Sequence, residues 1–170
     1  MEHLWSPWRL SYVTRAAHGE DESAGDACIF CELRGRNADL MVFTGQLCYV
    51  ILNLYPYNNG HLMVVPRRHV RDLASTTPDE RAEMMTLARL SEMALFEAYS
   101  PHGLNAGINL GRPAGAGVLN HLHMHLVPRW NGDTSFMSVV GNTRVLPEDL
   151  SHTAERLRPI FERLAKENDV

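Results

Sequence analysis

Lysine is nearly absent from this chain. Lys166 is the only one among 16 basic residues, and 20 Asp and Glu leave a formal charge of −4. No stretch gathers the basic residues into a stripe, so nucleic acid is not an expected partner. No apolar run approaches the roughly 20 residues of a membrane-spanning helix, so a membrane is not one either. The opening Met1-Glu2-His3-Leu4-Trp5 lacks the charged-then-apolar order of a secretory signal. Cysteine is scarce: three thiols suit a reducing compartment, and a cytoplasmic location is expected. Low-complexity tracts and internal repeats are missing. The 170 residues, 45 % of them hydrophobic, suffice for one domain with its own core.

Along the chain, residues 3–15 hold Trp5, Pro7, Trp8 and Tyr12, an aromatic arm too short to fold alone. Residues 16–26 are small and acidic and read as a loop. Residues 47–53 are apolar and β-branched, a strand in which Cys48 reads as a small core residue. The turn residues Tyr55-Pro56-Tyr57-Asn58-Asn59-Gly60 separate it from a second strand over 61–65, the pair forming an antiparallel unit. Thr77-Pro78-Asp79-Glu80 is a helix start, with a capping hydroxyl, proline at the first position and acids in the first turn. The stripe Met84, Leu87, Ala88, Ala94, Leu95, Ala98 has helical spacing, and Pro101 and Gly103 end it. A strand is expected over 104–110. A final helix is expected from near Pro147, bent at Pro159. The sum is an α+β domain, an antiparallel sheet flanked by helices.

The densest signal is His121, His123 and His125 alternating with Leu122, Met124 and Leu126. A strand sends successive side chains to opposite faces. The apolar set can then seal a core, while the imidazoles meet solvent, a metal or a ligand. Histidines two apart lie about 6.5–7 Å from one another along a strand, so one row can serve two sites.

Cys28 and Cys31 form a C-x-x-C, half of a tetrahedral zinc site. His69, after the second strand, and His121 would complete a closed and therefore structural Cys2His2 set; free thiols or a redox dithiol are the alternatives. Neutral imidazole is nucleophilic at neutral pH and can attack phosphorus to form a phosphoramidate. The glycine-rich turn 111–117 precedes the histidine row. Its backbone N–H groups could cradle an anion, although it lacks the lysine of a P-loop.

Gly60-His61-Leu62-Met63-Val64-Val65-Pro66, Asn109-Leu110-Gly111 and His121-Leu122-His123-Met124-His125 together resemble the histidine-triad (HIT) superfamily of nucleotide hydrolases and transferases, over residues 28–130. Trp5-Ser6-Pro7-Trp8-Arg9, Leu52-Asn53-Leu54-Tyr55-Pro56-Tyr57-Asn58, Pro128-Arg129-Trp130 with Gly132-Asp133, and Gly141-Asn142-Thr143-Arg144-Val145 are similar to diadenosine tetraphosphate phosphorylase-like (ATP adenylyltransferase-like) members. The resemblance implies one HIT domain over 1–170, with an N-terminal arm and loop (1–27), a core (28–130) and a C-terminal extension bearing a helix (131–170). Its antiparallel sheet would continue across a homodimer. It implies His123 as the nucleophile that carries a nucleoside monophosphate, with His61 and His125 flanking the same phosphate. Asn53 would hold ribose hydroxyls and Asn109 would lie near the phosphate. Cys28, Cys31, His69 and His121 match the ligands of the zinc-bearing branches, and no catalytic metal is expected.

One departure stands out. Most of the family reads Ala-Gly-Gln-Ser/Thr before the triad, whereas this chain reads Ala114-Gly115-Ala116-Gly117-Val118-Leu119-Asn120, one residue longer and without a hydroxyl. The backbone N–H groups of Ala116, Gly117 and Val118 are the expected phosphate donors instead. Arg129 is expected to be structural and Trp130 to sit at a subunit contact. The implied activity is transfer of an adenylyl group from a dinucleoside polyphosphate to inorganic phosphate. A hydrolase of such substrates or of nucleoside phosphoramidates, a nucleotide-binding regulatory module and a metal-binding protein are the rivals.

Overall fold

A computed structural model describes residues 28–36, 39–133 and 148–170. The aromatic arm, the acidic loop and residues 141–145 lie outside them. The elements run α1 (Ile29–Arg36), β1 (Met41–Thr44), β2 (Cys48–Leu52), β3 (Leu62–Pro66), α2 (Pro78–Tyr99), β4 (Gly103–Ile108), β5 (Met124–Arg129) and α3 (Leu150–Glu167). The five strands form one antiparallel sheet in the order β1-β2-β3-β5-β4.

Alternation gives that sheet two different faces. Val50, Leu52, Leu62, Val64, Leu122 and Leu126 point to the side covered by α2 and α3, where Met84, Leu87, Leu95, Leu157 and Phe161 complete the main core. Each such leucine contributes on the order of 1.5–3 kcal/mol by leaving water. Tyr49, Ile51, Met63 and Val65 point the other way and meet Phe30 of α1 in a smaller cluster. The expected antiparallel pair is present, with Tyr49 opposite Val65 and Ile51 opposite Met63. Cys48 is fully buried, and its thiol is pushed up to about 12 by desolvation and then by the nearby Glu83 and Glu80.

The first long helix begins as its residues dictate. Thr77 Oγ1 accepts from the Glu80 amide at 3.1 Å, and the Glu80 carboxylate accepts from the Thr77 amide at 2.8 Å, a reciprocal capping box. The helix ends at Tyr99, with Ser100 in the left-handed region at φ 44°. The last helix starts at Leu150, capped by Asp149, and runs through Pro159 to Glu167 as one element. Three expectations shift. The strand expected over 104–110 stops at Ile108. Neither α1 nor β1 was expected. The triad is not all strand: β5 begins at Met124, because the Leu122 amide donates to the Val70 carbonyl at 2.6 Å and so leaves the ladder with β3. The in–out alternation survives this, with Leu122 and Leu126 in the core and the imidazoles opposite.

Glu80 does more than cap α2. Its carboxylate, 4 % exposed, also takes a two-pronged ion pair from Arg68, at 2.9 and 2.8 Å, beside His69. The guanidinium holds the carboxyl below its ordinary 4.5, against the opposing effect of burial. A lowered folded-state pKa stabilises fully above the unfolded value and is lost as pH falls through the folded one. Urea titrations from pH 7 to 3 are expected to show stability falling below pH 4.5 with a flatter dependence in Glu80→Gln. Thr77→Ala is expected to cost about 1 kcal/mol at pH 7.

Candidate active site

All the chemistry lies on the sheet face away from α2 and α3. His121 and His123 are 1 % and 4 % exposed, and His61 is fully buried. The row splits between two sites, as its spacing allowed.

At one end His121 meets the cysteines. Its Nε2 lies 2.8 Å from the Pro66 carbonyl and must carry the proton there, which leaves Nδ1 as a lone pair. That lone pair lies 3.2 Å from Cys28 Sγ and 3.6 Å from Cys31 Sγ. His69 Nδ1 lies 3.4 Å from Cys31 Sγ. The ligand atoms of Cys28, Cys31, His69 and His121 all fall within 4.8 Å of one another. Tetrahedral zinc, with Zn–S about 2.3 Å and Zn–N about 2.0–2.1 Å, sets a sulfur–nitrogen edge of about 3.6 Å, close to the separations found. The Pro66 carbonyl is the outer acceptor that orients a metal-binding imidazole. These four residues therefore suit a metal, and they tie α1 to the end of β3.

The second site begins at His123. Its Nδ1 lies 2.8 Å from the His121 carbonyl, so Nδ1 carries the proton and Nε2 keeps its lone pair. Burial lowers the His123 pKa, against the opposing pull of that carbonyl, and so favours the neutral ring. His125 stands nearly perpendicular to it, ring centres 4.9 Å apart. Its pKa falls to about 4, through burial and then through the neighbouring His123.

His61 completes this cluster from the residue before β3. The Tyr57 amide donates to its Nδ1 at 3.0 Å, and Asn53 Nδ2 lies 3.3 Å from the same atom. A main-chain N–H can only donate. His61 Nδ1 is thus an acceptor and Nε2 carries the hydrogen, which points at His125 Nδ1 2.9 Å away. His125 in turn carries its hydrogen on Nε2. The Tyr57 ring lies over both imidazoles, at 4.6 and 5.8 Å.

The other expected residues make the following contacts. Asn53 also accepts from the Tyr55 amide at 3.0 Å, which shapes its loop. Asn109 Nδ2 approaches the Gly115 carbonyl at 3.5 Å, across the glycine-rich turn. Ala116 departs from expectation: its N–H closes that turn on the Gly111 carbonyl at 3.2 Å and is not presented to an anion. The amides of Gly117 and Val118 have no partner among the described residues, and Val118 packs against the smaller cluster. Arg129 is held by Asp133 at 2.6 and 2.9 Å and by Asn105 at 3.0 Å, a structural role. Trp130 is half-buried.

Three contacts were not legible beforehand. Phe30, between the two cysteines, lies 5.4 Å from His121 and 5.0 Å from His123. Asp133 also binds Asn58 Nδ2 at 2.9 Å and so anchors the Tyr57 loop to the end of β5. The C-x-x-C drew attention to the cysteines and not to the residue between them, and nothing local links Asn58 to Asp133.

Comparison with known proteins agrees with this geometry. The HIT domain family model matches residues 34–132. An AP-4-A phosphorylase of Mycobacterium tuberculosis is 41 % identical over 161 residues, which cover 92 % of this chain and 83 % of that protein. Among solved structures, a Zn-bound histidine triad family protein from Mycobacterium smegmatis superposes with a TM-score of 0.68 at 30 % identity, over 83 % of this chain and 97 % of that one. A hypothetical histidine triad nucleotide-binding protein from Sulfolobus tokodaii gives 0.68 at 28 % identity, over 82 % and 95 %. With its imidazole row, its antiparallel sheet and these matches in agreement, the chain belongs to the HIT family.

Proposed function

We propose that this chain is a cytoplasmic nucleotidyltransferase acting on dinucleoside polyphosphates such as diadenosine tetraphosphate, through an adenylyl-His123 intermediate resolved by inorganic phosphate. The observation that carries the reading is the His123 ring: tautomerically fixed by the His121 carbonyl, so that Nε2 keeps its lone pair, with the His125 ring centre 4.9 Å away. The similarity to an AP-4-A phosphorylase supports the substrate class.

In the first half-reaction His123 Nε2 attacks the α-phosphorus and the polyphosphate leaves as an oxyanion. In the second, phosphate attacks and the electron pair returns to Nε2. His125 Nε2–H and the amides of Gly117 and Val118 face the transferred phosphoryl oxygens as donors, the kind of fixed dipole that stabilises charge developing in a transition state. Asn53 takes the ribose hydroxyls and Asn109 holds the turn near the phosphate. Cys28, Cys31, His69 and His121 would hold a structural zinc ion, which would tie α1 to the end of β3. The edge of β4, which has no neighbouring strand among the described residues, joins its counterpart in a homodimer, since an unpaired strand edge invites pairing.

The test is intact-protein mass after brief incubation with diadenosine tetraphosphate, quenched at alkaline pH. An adenylyl adduct is expected, absent from His123→Ala, with phosphate converting it to adenosine diphosphate. An adduct cleared to adenosine monophosphate regardless of phosphate makes the chain a hydrolase. Metal analysis is expected to give one zinc per chain, and Cys28→Ser or Cys31→Ser to lose most of it. Sedimentation velocity is expected to show a species of twice the chain mass, and a monomer at micromolar concentration would refute the dimer.

A further inference from the structure

The C-x-x-C carries chemistry that metal ligation alone does not use. Cys28 stands at the head of α1, where the amides of Cys31 and Glu32 both donate to its carbonyl at 2.9 Å. Cys31 therefore lies in the first helical turn, three residues on, where side chains become neighbours. Cys28 Sγ and Cys31 Sγ approach the same atom, His121 Nδ1, at 3.2 and 3.6 Å. The two sulfurs lie within 4.8 Å of each other. Cys31 is exposed and Cys28 partly so.

The third cysteine is set apart from them. Cys48 is fully buried in the main core, where its thiol donates to the Glu80 carbonyl at 3.6 Å and is pushed up to about 12. A thiol is a strong nucleophile only as the thiolate, so Cys48 is a bystander. The chain has three cysteines in all, which leaves oxidation one pair to act on.

Metal ligation and disulfide formation exclude one another at this pair. Tetrahedral zinc with Zn–S of about 2.3 Å sets its two sulfurs about 3.8 Å apart. A disulfide holds them at about 2.0 Å and leaves neither as the thiolate that binds metal. The consequence reaches His123. Its Nδ1 bonds the carbonyl of His121, the residue whose ring faces both sulfurs. Phe30, between the cysteines, lies against the rings of both histidines, and its carbonyl accepts from the Tyr49 hydroxyl at 2.9 Å. Closing the disulfide draws together the two residues that flank Phe30.

We propose that Cys28 and Cys31 form a site of reversible oxidation by hydrogen peroxide, at which disulfide formation releases the metal ion and slows transfer from His123. This rests on the metal-cluster and adenylyl-His123 readings. The electrons balance. The Cys31 thiolate attacks a peroxide oxygen, the S–O bond forms, the O–O bond breaks, and hydroxide departs. The Cys28 thiolate then attacks the Cys31 sulfur, the S–S bond forms, the S–O bond breaks, and a second hydroxide departs. Solvent protons convert both hydroxides to water. The sulfur pair has given up two electrons, peroxide has taken them, and the divalent ion has passed to solvent. A dithiol reductant returns the two electrons and restores the ligands.

The experiment treats the zinc-loaded protein with a few equivalents of hydrogen peroxide. It follows free thiols after denaturation, zinc captured by a chromogenic chelator, the tryptic map, and the rate of adduct formation from diadenosine tetraphosphate. Thiols are expected to fall from three to one per chain. One zinc ion is expected for each disulfide formed, and the tryptic peptide holding Cys28 and Cys31 is expected to lose two hydrogens. Adduct formation is expected to slow at least about tenfold, the low end of what an outer partner at a metal site is worth. Dithiothreitol with added zinc is expected to restore thiols and rate together, and Cys48→Ala to respond as the wild type does. Thiols that survive peroxide, zinc that stays bound after the disulfide forms, an unchanged rate in the disulfide form, or a rate that reduction and zinc do not restore would overturn the proposal. Each would leave the metal and covalent readings standing in a chain that binds zinc and forms the adduct. A chain that binds no zinc, or forms no adduct, would overturn that earlier reading and the proposal with it. Where Cys48→Ala does not fold, the wild-type tryptic map decides which cysteines pair.

Discussion

The hydrogen bond from His123 Nδ1 to the carbonyl of His121, 2.8 Å long, is the interaction on which the site depends. It assigns the proton to one nitrogen and the lone pair to the other, and so leaves Nε2, the atom proposed as the nucleophile, with a free lone pair. The carbonyl can serve because His121 is itself held, by the Pro66 carbonyl on one side and the cysteine thiols on the other. The ring of Phe30 rests on both histidines. The candidate metal cluster is therefore linked to His123 through one peptide unit and one aromatic ring.

The other half of the cluster shows the same economy. Main-chain groups, whose donor and acceptor roles cannot change, stand at both ends of the imidazole array: the Tyr57 amide before His61 and the His121 carbonyl behind His123. Histidine is ambiguous in isolation, and these fixed ends remove the ambiguity ring by ring. The loop that carries Tyr57 is in turn anchored by Asn58 to Asp133 and to the Pro128 carbonyl at the end of β5. A polar network outside the histidine cluster thus sets the geometry within it.

Much of this was legible from residue order. Alternation in 121–126 placed leucines inward and imidazoles opposite, and Thr77-Pro78-Asp79-Glu80 marked the helix start, because both signals depend on local geometry alone. The two-strand unit and the core role of Cys48 followed from composition. The missed elements, α1 and β1, are short, and α1 owes its place to Phe30 packing on distant histidines. The triad was taken as strand throughout, whereas the Leu122 amide meets Val70 and delays the ladder to Met124. The turn amides were expected to act together, yet closure of the turn on Gly111 removes that of Ala116.

The division follows the range of the forces. Side-chain period, capping residues and the identities of the four candidate metal ligands and of the four histidines belong to the residue order, since each is a property of neighbours a few positions apart or of a motif. The tautomers are different. Which nitrogen of His61, His121, His123 and His125 holds the hydrogen is set by backbone groups at Tyr57, Pro66 and His121 and by the imidazole of His61, brought within hydrogen-bond distance by strand pairing and loop closure. A hydrogen bond acts over about 3 Å, so only the folded chain, which places residues 57 and 66 against residues 125 and 121, could decide them.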